Sequence, residues 1–248
     1  MTASDRSPAG AASFAARRGL LEAPGVQLGR LNGQAIGLVA LLAGVLLIGV
    51  APPALGQSSP VGPPLSLAET EALVRSVAYE GLAIEQAARI GADGGARLIE
   101  LLADPQEKRN HGRILLALGI WGGPGAFEAI EGWRAAALAG GELDRSTFRA
   151  WQALPFALGQ LASRDARALA QLAGCFEAPV PPFRFGRFSP TALRALERRA
   201  AASALVESRA PAAAQILESV AARTRDPELA AHLDAVRAEA GFVRESTP

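Results

Sequence analysis

The stretch Ala96–Trp121, ARLIELLADPQEKRNHGRILLALGIW, decides the fold. Leu98, Ile99, Leu101 and Leu102 recur with helical period and line one face. The run stops at Asp104-Pro105, where a capping side chain precedes a proline suited to a first helical position. A second apolar face follows on Ile114, Leu115, Leu118 and Trp121. The local reading is two short amphipathic helices joined by a tight turn.

Working outward, the same pattern recurs toward the C-terminus. Phe127, Ile130, Trp133 and Ala137 form one face, and Phe148, Trp151, Leu154, Leu158 and Leu161 the next. Leu169 and Leu172 mark a shorter element. Leu193, Leu196 and Leu205 mark another, followed by Ile216, Leu217 and Val220, then Leu229, Leu233 and Val236. Roughly eight to ten helices are expected. Their punctuation is consistent. Ser66-Leu67-Ala68-Glu69 is a capping box. Ser189-Pro190 and Asp226-Pro227 repeat the cap-proline pair, and Asp144 and Asp165 are further caps. Gly-Gly pairs at 94–95, 122–123 and 140–141 suit helix ends. Pro155 should kink or divide its helix. No strand-like alternation of useful length precedes residue 180. Half of the 248 residues are hydrophobic, many of them Ala, and aromatics are only 5%. Ala and Leu favour helix, so the expected class is all-α.

Toward the N-terminus, residues 36–51 hold the uncharged run Ile36–Val50, IGLVALLAGVLLIGV, with Pro52 and Pro53 after it. Sixteen helical residues span about 24 Å, short for a bilayer and suited to a signal segment. Ala54 and Gly56 are small residues at the two positions a signal peptidase inspects, and cleavage there leaves Gln57 first. Residues 1–35 carry four Arg and two acids, so the positive charge precedes the run, as export or a positive-inside anchor requires. This lead is long for such a region, and Val26 is a candidate true start. The expected layout is a basic lead over 1–35, a signal peptide or membrane anchor over 36–56, a Pro/Ser linker over 57–65 and a helical domain over 66–244. The expected location is periplasmic or otherwise extracytoplasmic, or the inner membrane if the one N-terminal helix is retained.

The Ala96–Trp121 stretch resembles a HEAT repeat of the bacterial HEAT-like kind. In that family the turn Asp caps the second helix and an early Arg bonds back to the turn; Asp104 and Arg109 hold the matching places. The resemblance covers these 26 residues well and Gly125–Leu161, Asp165–Cys175 and Pro211–Ala240 more loosely. Repeat starts drift, from Gly95 to Gly125, Asp165 and Pro211, which is irregular for a strict array. The resemblance implies a short irregular α-solenoid and a habit of binding proteins, and it implies no reaction.

The sequence holds none of the common nucleophile, zinc or phosphate motifs. His111 and His232 are the only histidines, both placed on the solvent face by their charged neighbours. Cys175 is the single cysteine, suited to a helical core. No metal site, cofactor or catalytic residue is expected. Net charge is +1, and the part after residue 56 is nearly neutral, which argues against nucleic acid. Basic residues are almost all Arg, with Lys108 the sole Lys, a bias that reads as codon usage. The segment Glu177–Ser189, EAPVPPFRFGRFS, is unusual for a loop. Phe183, Arg184, Phe185, Arg187 and Phe188 are either a binding surface or a strap with its rings buried. The expected role is an exported, non-catalytic protein-binding module whose partner is another envelope protein. A membrane-tethered assembly factor and an enzyme without a recognisable motif are the alternatives.

Overall fold

The computed structural model describes residues 62–76 and 82–241. All of them fall within one compact unit, 57–248. The run Ile36–Val50, expected to act in targeting, lies with Ala54 and Gly56 outside the described residues. Ten helices account for most of this part: α1 (Leu67–Arg75), α2 (Ile84–Ala87), α3 (Ala92–Ala103), α4 (His111–Trp121), α5 (Ala126–Ala137), α6 (Arg145–Ala162), α7 (Ala166–Gly174), α8 (Pro190–Glu207), α9 (Ala213–Arg223) and α10 (Pro227–Glu239). The domain is all-α apart from two dipeptide strands, β1 (Gly141–Glu142) and β2 (Phe183–Arg184), which pair in parallel.

Local chemistry sets most of the helix starts. Ser66 accepts from the Glu69 backbone N–H while the Glu69 carboxylate takes the Ser66 N–H at 2.8 Å, closing the capping box. Asp144, Asp165, Ser189 and Asp226 each accept a backbone N–H from the first turn they precede. Gly122 ends α4 in the left-handed region at φ 60°.

Two local expectations are corrected. Gly94 and Gly95 end no helix; both are buried in the first turn of α3. A Cβ on Gly95 would lie 2.1 Å from the Trp121 ring, so the glycine makes room for that indole. Pro155 does not divide its helix, because α6 runs unbroken from Arg145 to Ala162 with the proline buried inside it. The end of the linker also packs: the Leu65 N–H donates to the Arg89 carbonyl at 2.9 Å, and Leu65 rests against the core.

Packing follows an alternating rule. The helices α4, α6, α8 and α10 lie side by side as neighbours in a row, while those between them, α5, α7 and α9, each pack against both of their neighbours in sequence, α7 more closely on α6 than on α8. The row seams are built from small residues. A Cβ on Gly119 of α4 would lie 2.3 Å from the Ala157 carbonyl oxygen of α6, and one on Gly159 of α6 would lie 2.7 Å from the Ala204 carbonyl oxygen of α8. Around these contacts Leu115, Leu118, Leu158, Leu161 and Leu205 are buried at 2% exposure or less. A smaller cluster of Leu143, Phe148, Trp151, Phe183 and Leu193 sits apart from this main core.

The seam and the open face should respond oppositely to one added methyl. Gly119→Ala pushes against backbone that cannot rotate away and should cost about 2 kcal/mol. Gly132→Ala, mid-helix in α5 with nothing within 4 Å of the new Cβ, should add about 0.5–1 kcal/mol. Urea denaturation midpoints of the two variants should move in opposite directions.

Candidate functional site

An apolar groove of about 660 Å³ opens between α3 and α5. Ile99, Leu102 and Ala103 at the end of α3 form one wall. Ala129, Gly132, Trp133 and Ala136 of α5 form the other, while Lys108, His111 and Thr147 close it with polar groups. The two walls come from α3 and α5, which touch each other and both pack on α4. Positions 129, 132 and 136 share a helix face, and their small side chains leave the floor open beside the Trp133 indole.

His111 is the chemically distinctive member. The Trp133 Nε1–H donates to His111 Nδ1 at 2.9 Å, with the rings edge to face at 88°. Nδ1 is therefore the acceptor, and the ring proton sits on Nε2, which points at the Asp104 carbonyl 3.4 Å away. Burial pushes the imidazole below its ordinary value. The sequence reading put both histidines on a solvent face; the structure corrects this. His111 is half-buried against Trp133, and His232 is half-buried with Nε2 3.1 Å from the Arg199 carbonyl, joining α10 to α8.

The turn before His111 is held differently from the family pattern. The Asp104 carboxylate accepts from the Gln106 N–H at 2.8 Å, capping the single 3-10 turn Pro105–Glu107 rather than α4. Arg109 is exposed and forms no hydrogen bond or ion pair with Asp104 among the described residues. Glu107 takes the anchoring part instead. It is buried and accepts from Arg75 Nε and Nη2 at 2.9 and 2.6 Å and from Asn110 Nδ2 at 2.7 Å. The Arg75 guanidinium, with Asn110, holds the Glu107 carboxyl below the usual range. Arg75 also reaches Glu71, which in turn pairs with Arg97. This charged chain ties α1 to α3 and to the turn.

The 177–189 segment is a strap. Phe183 is buried edge-on against Trp151, with centroids 5.9 Å apart, and half-buried Phe185 stacks on Phe148 at 3.9 Å. Phe188 remains 38% exposed. Arg184 lies 3.6 Å from Glu142, and Arg187 points to solvent. The rings thus fill the gap above α6 and the start of α8.

Cys175 is buried, and desolvation pushes its thiol up to about 12, so it stays protonated and unreactive at neutral pH. Arg194, which drew no attention in the sequence, is only 4% exposed. Its Nη1 donates to Glu197 at 2.7 Å, while Nε and Nη2 are buried without partners among the described residues. No group of three or more His, Cys, Asp or Glu among the described residues could hold a metal ion. No family model, curated protein or solved structure matches the chain.

Two outcomes are expected. Phe183→Ala should cost about 3 kcal/mol and Phe188→Ala less than about 1 kcal/mol in denaturant melts, the difference between a buried and an edge ring. For His111, the unfolded chain binds the proton more readily than the folded one. Stability should therefore be complete above the ordinary imidazole range and be lost as pH falls from about 6.5 toward the lowered value of the folded state. His111→Gln removes that proton while keeping an acceptor for Trp133. The stability gap between the parent and this variant should narrow from pH 8 to pH 5; a constant gap would contradict the assignment.

Proposed function

We propose that this chain is an exported, non-catalytic protein-binding module built of irregular HEAT-like hairpins. The alternating packing supports the repeat reading. Helix pairs begin at Ala92, Ala126, Ala166 and Ala213, close to the repeat starts read from sequence, and the second helix of each pair lies beside the second helix of the next. Export rests on the 36–51 run and the small residues Ala54 and Gly56.

The groove between α3 and α5 is the observation that carries the binding role. Its size is that of a ligand or side-chain pocket, its walls are apolar, and His111, its one titratable group of lowered pKa, is pushed down by burial while its Nδ1 accepts from Trp133. A hydrogen-bonded, neutral imidazole suits a recognition surface better than proton transfer. The occupant proposed is an amphipathic helix of another envelope protein. Small residues at 129, 132 and 136 allow close helix approach, and Trp133 offers an aromatic anchor for the partner's apolar face.

The test places a photo-crosslinking side chain at Ala136 in cells, with Gly174, which has open space around its Cα, as the distant control. Ala136 should yield one discrete crosslinked partner, and Gly132→Glu should abolish it by more than tenfold while the protein stays folded. Equal yields at Ala136 and Gly174, or insensitivity to Gly132→Glu, would sink the groove as the docking site.

A further inference from the structure

A second cavity, of about 390 Å³, lies where the end of α7 and the α9–α10 turn meet α8. Three guanidinium side chains line it: Arg198 from α8, Arg223 from the end of α9 and Arg225 from the turn. Phe176, Val220 and Leu229 supply an apolar wall. The carboxylates at its edge are already engaged. Glu177 accepts from Arg223 Nη1 at 2.7 Å. Asp226 caps α10, accepting from the Glu228 and Leu229 N–H groups at 3.0 and 3.2 Å. Arg198 and Arg225, which line the cavity from α8 and from the turn, have no hydrogen bond or ion pair among the described residues. Guanidinium forks match the oxygens of a carboxylate or phosphate.

We propose that this cavity binds an organic oxyanion, a carboxylate or a phosphate monoester carried on a small apolar body. Arg198 and Arg225 take the oxygens, and Phe176, Val220 and Leu229 take the body. This site is separate from the α3–α5 groove and stands or falls independently of it. The positive charge is local: the chain after residue 56 is nearly neutral, so the attraction comes from placement rather than bulk charge.

The experiment follows the arginine Nε–H resonances of the full chain during titration with benzoate, phenyl phosphate and inorganic phosphate. The Arg198 resonance should shift saturably with at least one organic anion. That anion should bind about tenfold more tightly than inorganic phosphate, because its ring leaves water for the apolar wall. Tighter benzoate binding assigns the site to carboxylates, and tighter phenyl phosphate binding to phosphate esters. Arg225→Gln, on an exposed turn and harmless to the fold, should weaken binding about tenfold. No saturable shift at millimolar anion, an equal response to inorganic phosphate, or unchanged affinity in Arg225→Gln overturns the proposal.

Discussion

The backbone approach between α4, α6 and α8 is the constraint on which the rest depends. Gly112 and Gly119 of α4 face Ala150 and Ala157 of α6, each pair seven residues apart and so on one helix face. The next seam sets Gly159 against Ala204. Small residues bring the axes close, and that closeness lets the leucines on either side interdigitate without voids. The abundant alanine that first suggested helix propensity therefore has a second role, as the material of the seams. At α8–α10 the seam changes character: His232 reaches the Arg199 carbonyl across it.

The row also explains why the groove exists. α4 is held tightly to α6, so its first turn, with His111, is fixed in place. α3 and α5 both pack on α4 and touch each other, and the α5 face next to α3 carries Ala129, Gly132 and Ala136 rather than large side chains. Two helices that meet on a common support with small residues between them leave a concavity. Trp133 limits its depth, and the bond to His111 keeps the indole from swinging.

What the sequence made legible was what depends on neighbours in the chain. Caps at Ser66, Asp144, Asp165, Ser189 and Asp226 act within three residues, and helical periodicity within four. What stayed hidden needed a partner from elsewhere. Gly94–Gly95 looks like a terminator until Trp121 occupies the space above it. His111 looks solvent-facing until Trp133, 22 residues on, donates to it. Arg109 holds the expected position for anchoring the turn, yet the work falls to Arg75, more than 30 residues upstream of Glu107, because α1 lies against that turn. The 177–189 strap was half legible: its phenylalanines stood out, but only Phe148 and Trp151 decide which rings are covered.

The near-exclusive use of arginine gains a physical reading from the same contacts. Codon bias can account for its abundance but not for what the forks do. Arg164 Nη1 donates to the Ile120 and Trp121 carbonyls at 2.7 and 2.8 Å, satisfying the open end of α4 from the end of α6. Arg167 pairs with Asp165 at the start of its own helix, and it connects α7 to α5 in two ways, through Glu128 and by lying 4.5 Å over the Phe127 ring. Arg75 bridges Glu71 and Glu107. Lys108, the lone ammonium, makes a single contact, with Asp144. Most of these pairs are solvent-exposed, so each contributes little to stability. Their consequence is geometric: a planar fork with several donors fixes the relative setting of two helices, which a point charge does not. The interdigitated leucines set register along the row, and the forks at its edges add fixed contacts to that packing.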